Sequence, residues 1–179
     1  MVGSDADHPL LLAFGANLDP LPNLVHGLRR CHQELGVVAI STVYRTLPVG
    51  LIDQPDYLNG AVLIERSPDP WALRALLRAI EAECRRERHP QSKDGPRTLD
   101  LDIALMGRRV LQAPPLVIPD PEIVRRPFLA CPLAELAPHL VHPLLGATLA
   151  TLAAAFGPVP AGMQADDVAT DVLRRAVMP

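Results

Sequence analysis

A chain of 179 residues, 49% hydrophobic and 21% charged, is sized and composed for one globular domain with a substantial core. Its net charge of −3 argues against a broad nucleic-acid-binding face, which needs an excess of positive charge. No uninterrupted apolar span suits a membrane, nothing near Met1 has the pattern of a signal peptide, and Cys31, Cys84 and Cys131 are odd in number and lack metal-ligand spacing. These features predict a cytoplasmic protein with reduced thiols.

Along the chain, residues 1–9 read as a polar lead-in. Leu10 to Phe14 is an apolar run stopped by Gly15, the signal of a buried strand. Between Pro22 and Gly36, Leu24, Val25, Leu28 and Leu35 recur at helical spacing. Val37 to Tyr44 reads as a second strand, Arg45 to Asp56 as a loop, and Tyr57 to Arg66 as a third strand. Ser67-Pro68-Asp69-Pro70 carries helix-start chemistry, and Leu73, Leu76, Leu77 and Ile80 form one stripe of a helix from Trp71 to about Arg86, with Trp71 read as packing. Arg88 to Gly95 is a polar loop, and a strand carrying Asp100 and Asp102 follows. The order βαββαβ predicts an α+β fold, a ferredoxin-like antiparallel sheet with helices on one face. Gln112 to Pro121 reads as a proline-rich connection, Phe128 to Ala137 and Leu144 to Phe156 as helices, and Gln164 to Val177 as a terminal helix. The predicted organisation is a single domain over 10–156 and a C-terminal extension over 157–179.

The chemistry concentrates in Gly95-Pro96-Arg97-Thr98-Leu99-Asp100-Leu101-Asp102-Ile103. Side chains alternate along a strand, so Asp100 and Asp102 share one face while Leu99, Leu101 and Ile103 point into the core. Two carboxylates side by side repel each other, and a hard divalent cation between them removes the conflict. Mg²⁺ takes one or two protein carboxylates and completes its shell with water and phosphate oxygens. A solvent-facing acidic strip accounts for the spacing equally well. Arginines gather nearby: Arg85, Arg86 and Arg88 before the strand, Arg97 at its start, Arg125 and Arg126 beyond it. Their planar forks match phosphate oxygens, although a helix end favours Arg85 and Arg86 for its dipole alone. His89, His139 and His142 have no ligand spacing and read as surface or loop residues.

Four blocks of residues give the chain a family resemblance. They are Phe14 to Leu18; Tyr44-Arg45-Thr46 with Asp53 to Asn59; Glu81, Arg86 and Arg88 leading into Gly95 to Ile103; and Arg126-Pro127-Phe128 with Cys131 to Pro138. In these the chain resembles the 6-hydroxymethyl-7,8-dihydropterin pyrophosphokinases of folate biosynthesis. The resemblance implies transfer of pyrophosphate from ATP to a pterin alcohol, with release of AMP. It implies two Mg²⁺ ions on Asp100 and Asp102, with Arg86 and Arg97 beside them as catalytic cations. It assigns Glu81, Arg86, Arg88, Arg97, Ile103 and Arg126 to ATP. Thr46, Pro48, Val49 and Asn59 fall to the pterin's polar edge, and Tyr57 and Phe128 to its two faces. The implied partners are small molecules, with no nucleic acid or membrane, and the implied state is a monomer.

Without those flanking blocks, Tyr57 and Phe128 read as core, Asn59 as a turn or edge residue, Gly15-Ala16-Asn17 as a turn, and Glu81 as a solvated face. The chain departs from the family pattern at Ala16 and Leu47, lacks a tryptophan before Gly95, and has Pro115, Val117 and Asp120 on the nucleotide side. Other readings are a non-catalytic pterin- or nucleotide-binding module, a pyrophosphokinase for a modified pterin, and an RNA-binding sheet. The last requires exposed strand aromatics and a basic face that this composition lacks.

Overall fold

The computed structural model describes residues 9–50, 53–86, 95–158 and 160–178. The chain opens with β1 (Leu10–Ala16), α1 (Pro20–Leu35), β2 (Val37–Ile40), β3 (Tyr44–Thr46), β4 (Tyr57–Ile64), α2 (Pro70–Glu83) and β5 (Asp100–Met106). The hairpin β6 (Leu111–Ala113) and β7 (Leu116–Ile118), a 3-10 turn at Pro121–Val124, α3 (Pro127–Leu136), α4 (Leu149–Ala154), β8 (Met163–Ala165) and α5 (Asp167–Val177) complete it. The main sheet runs β5-β1-β4-β3-β8, with β2 also on β4, and its pairings are antiparallel.

Alternation along β1 divides the core. Leu10, Leu12, Phe14 and Ala16 pack with Leu24 and Leu28 of α1, Leu73 and Leu77 of α2, and Leu173 and Val177 of α5. Leu11 faces the other way, into a cluster with Ile123, Leu129, Leu133 and Leu149. The sheet is therefore covered by helices on both faces, not on one. The apolar residues of α3 need a surface to cover, and the α1/α2 face is already full.

Several local expectations give way to tertiary partners. The single strand over Val37–Tyr44 is two strands on β4, interrupted at Ser41–Val43, and Arg45 and Thr46 belong to the second rather than to a loop. The proline-rich connection contains the β6–β7 hairpin. The helix expected from Leu144 begins only at Leu149: the His142 carbonyl turns the chain by accepting from Leu145 and Gly146, and the Thr148 hydroxyl caps Thr151. Trp71 is 44% exposed, so it is not a packing residue, because helix α2 turns Leu73, Leu77 and Ile80 inward instead. His142 lies in a loop yet is buried, and burial lowers its pKa. No helix among the described residues is long and apolar enough to cross a membrane.

Candidate active site

Strand register builds the site. Across the sheet, Asp100 of β5 stands opposite Gly15 of β1, Gly15 opposite Asn59 of β4, and Asn59 opposite Tyr44 of β3. Gly15 is required by close approach, since a Cβ there would sit 2.4 Å from the Asn59 side-chain oxygen. Asn59 in turn donates from Nδ2 to the Thr46 hydroxyl at 2.8 Å. A cavity of about 590 Å³ lies over this row. Thr46, Val49, Tyr57, Asn59 and Phe128 line one part of it, and Arg97, Asp100, Asp102 and Arg126 another. A smaller recess of about 190 Å³ adjoins it, walled by Arg74, Arg78, Ile103, Pro115, Val117 and Asp120, and Asp102 borders both spaces.

The charged wall depends on how α2 ends. The Arg85 amide donates to the Ala82 carbonyl and the Arg86 amide to the Glu81 carbonyl, a reversal that requires a left-handed residue. Arg85 takes that role at φ 55°, where glycine is usual. The turn sends the Arg86 side chain back under the sheet, onto the carboxylates of Glu81 and Asp100. Glu81 is 1% exposed; it accepts from the Leu101 amide at 2.9 Å and from Arg78 at 3.0 Å. Burial raises its pKa, against the pull of Arg86, the Leu101 amide and Arg78. Arg97 pairs with the other oxygen of Asp100, so both oxygens of that carboxylate meet a guanidinium. Asp102, two residues on along the same face, makes no ion pair among the described residues and is exposed.

The neutral wall is tied by amides. Asn17, 2% exposed, donates to Gln54 Oε1 at 3.0 Å and to the Pro55 carbonyl at 2.9 Å, and accepts from the Arg97 amide at 2.7 Å. One side chain thereby joins the end of β1, the segment before β4 and the turn before β5. The Tyr57 hydroxyl donates to the Gly95 carbonyl at 3.0 Å, which leaves its ring as wall. Phe128 is half-buried with the Arg126 guanidinium 6.0 Å from its ring centre.

The structure therefore brings most of the sequence-derived candidates to one cavity. Ile103 instead lines the recess, Glu81 and Arg86 lie behind Asp100, and Pro48 borders neither space; its neighbour Leu47 does. Arg88 lies outside the described residues. Sequence reading passed over Asn17 as a bonding centre, because its three partners are distant in the chain. Asp120 marks the junction of the two spaces. Its carboxylate caps the 3-10 turn by accepting from the Glu122 amide at 2.8 Å. Burial pushes its pKa up to about 6, opposed by that amide and reinforced by Asp102 and Glu122.

Among the described residues, no three His, Cys, Asp or Glu side chains group closely enough to hold a metal unaided. Two adjacent carboxylates facing a cavity suit a Mg²⁺ that draws its remaining ligands from water and phosphate, so the donor set fits that ion. Arginines, two carboxylates and an aromatic-amide pocket together suit group transfer between a polyphosphate and a flat polar ring.

Comparison with known proteins narrows that class. The model of the 7,8-dihydro-6-hydroxymethylpterin-pyrophosphokinase (HPPK) family matches residues 11–138, and the chain belongs to this family. It is 39% identical over 151 residues to the 2-amino-4-hydroxy-6-hydroxymethyldihydropteridine pyrophosphokinase of Synechocystis sp., covering 81% of this chain and 74% of that protein. To the Bacillus subtilis protein of the same name it is 37% identical over 128 residues, covering 70% and 75%. A solved Plasmodium falciparum HPPK-DHPS chain, with STZ-DHP, superimposes with a TM-score of 0.66 at 13% identity. That likeness concerns the fold alone; it covers 83% of this chain but 43% of the larger one.

Proposed function

We propose that the chain carries out the reaction of its family, pyrophosphate transfer from ATP to 6-hydroxymethyl-7,8-dihydropterin, on the cavity between β5 and β4. The hydroxymethyl oxygen attacks the β-phosphorus and loses its proton. A new carbon-oxygen-phosphorus link forms as the bond from the β-phosphorus to the bridging oxygen breaks, and AMP departs with that oxygen. Tyr57 and Phe128 hold the ring faces, while Asn59, Thr46 and the backbone through Val49 meet its polar edge. Pro48 positions that backbone rather than touching the ring.

Arg97 and Arg126 bind phosphate oxygens, and Arg88 joins them. Arg86, anchored by Glu81, acts on Asp100 and on the phosphates that approach it. Ile103 and the recess take the nucleoside. Asp100 and Asp102 would hold two Mg²⁺ ions, which when bound would neutralise the triphosphate charge and favour in-line displacement. The antiparallel β1-α1-β2/β3-β4-α2-β5 order supports a ferredoxin-like reading of the fold. The same reading makes the chain a cytoplasmic monomer that acts on small molecules, as its family resemblance implies.

The observation that carries this reading is the common cavity: two same-face carboxylates and the Tyr57–Asn59–Phe128 pocket open onto one space. ³¹P NMR of ATP, Mg²⁺ and the pterin with the protein tests it. AMP and a pterin diphosphate are expected; an unchanged ATP spectrum with folded protein would overturn it, and tight pterin binding without AMP would leave a binding module.

A further inference from the structure

We propose that residues 160–177, which lie beyond the stretch matched by the family, form a strut that holds the pterin-side backbone after β3 in its binding position. The inference rests on the reading of Thr46 to Val49 as pterin contacts. Strand β3 is three residues long, and a strand that short with a single partner is marginal in water. Here it has two. β8 pairs along its whole length: Tyr44 with Ala165, Arg45 with Gln164, Thr46 with Met163. One residue further, the Leu47 amide donates to the Gly162 carbonyl at 3.2 Å, so the clamp reaches into the cavity wall itself.

The segment also satisfies the backbone groups stranded between β2 and β3. The Thr170 hydroxyl, buried, accepts from the Val43 amide at 2.8 Å; the Asp166 amide donates to the Val43 carbonyl at 2.8 Å; and Arg174 donates twice to the Ile40 carbonyl, at 3.1 and 3.0 Å. The Asp166 carboxylate pairs with Arg45 at 2.7 Å. Behind this contact, α5 is fixed by burying Ala169, Leu173 and Val177 in the main core, and Arg29 of α1 donates to the Ala176 carbonyl. A continuous path of bonds thus runs from α1 through α5 and β8 to Leu47. Apart from the Arg29 anchor, these bonds converge on residues 40–47, and none reaches Asp100 or Asp102. The strut is therefore a positioning element for the pterin side, not for the metal side.

Gly162 is the point at which to break it. Its φ of +72° is closed to proline and costly for most residues but tolerated by asparagine. The full chain and its Gly162→Pro and Gly162→Asn variants are compared by hydrogen exchange of residues 43–47. Affinity is measured for 6-hydroxymethylpterin, and separately for Mg²⁺ with α,β-methylene-ATP. Gly162→Pro is expected to speed exchange at Leu47 and weaken pterin affinity about tenfold, as when a tenth of the chains hold the competent wall, with nucleotide affinity unchanged. Gly162→Asn is expected to restore both. Should Gly162→Pro fail to fold, the paired change Arg45→Met with Asp166→Asn is expected to act in the same direction. Unchanged pterin affinity in a folded variant, or equal loss of pterin and nucleotide affinity, would overturn the strut. A wild-type chain that binds no pterin would overturn the reading of the cavity instead, and the exchange data would still decide whether β8 restrains Leu47.

Discussion

The two walls of the cavity are held by different physics. The β5 wall is a chain of charges, Arg78 to Glu81 to Arg86 to Asp100 to Arg97, with Glu81 buried at its centre. The cavity-facing bonds of the β3–β4 wall are neutral amide, hydroxyl and backbone bonds, Asn59 to Thr46 and Leu47 to Gly162, with the Arg45–Asp166 ion pair behind them. Charges that satisfy one another along β5 can be redistributed when an anion such as phosphate arrives, because each arginine exchanges one anion for another. Neutral bonds in a strand ladder offer no such exchange. The β3–β4 wall is therefore preset, and the β5 wall is built to repartner.

The largest effects should separate the walls. Asp102→Asn, at a carboxylate outside the charge chain, should lower kcat about a thousandfold while leaving the melting temperature in place. AMP release and thermal unfolding measured together check this; near-normal turnover would remove Asp102 from the metal site. Glu81→Ala leaves the Leu101 amide without its acceptor and Arg86 with Asp100 as its remaining carboxylate, and removing one partner of a buried pair costs up to about 3–5 kcal/mol. Urea unfolding reads that loss directly, and a change below about 1 kcal/mol would mean that water replaces the carboxylate.

A smaller effect concerns Asp120 and has a defined pH window. Its folded pKa of about 6 lies above the ordinary carboxylate value, so the native state binds a proton that the unfolded chain releases between about pH 4 and 6. This group therefore stabilises the fold less as pH rises through that window. Asp120→Asn, which keeps an acceptor for the Glu122 amide, should stabilise the protein at pH 7 by on the order of 1–2 kcal/mol, and the gain should vanish near pH 4. Paired unfolding curves at the two pH values check the sign. The smallest effect is at Arg85: Arg85→Gly relieves a left-handed arginine and should add about 0.5–1 kcal/mol. If stability falls instead, the Arg85 side chain contributes more than its backbone costs.

Legibility in the sequence followed the range of the interactions. The faces of β5, the stripe of α2 and the cap at Asp69 are local consequences of period and side-chain chemistry, and they could be read directly. The metal-side carboxylates were legible from strand alternation, whereas the pterin-side candidates were legible only through family blocks, since no spacing rule joins Tyr57 to Phe128. Asn17 looked like a turn residue, because its value lies in partners more than thirty positions away. β8 reads in the sequence as the start of the terminal helix expected from Gln164, which begins only at Asp167: three mostly exposed residues carry no period, and only the open edge of β3 makes them a strand.

By itself the sequence determined the class of fold, the same-face carboxylates and the family, because alternation, helical period and motif identity are properties of neighbours along the chain. Tertiary structure alone decided that helices cover both faces of the sheet and that Glu81 faces inward beneath Asp100. It also decided that the C-terminal segment pairs with β3 and bonds to residues 40–47. Each depends on which surfaces and backbone groups were left unsatisfied once the first elements had packed, and that is settled only in three dimensions.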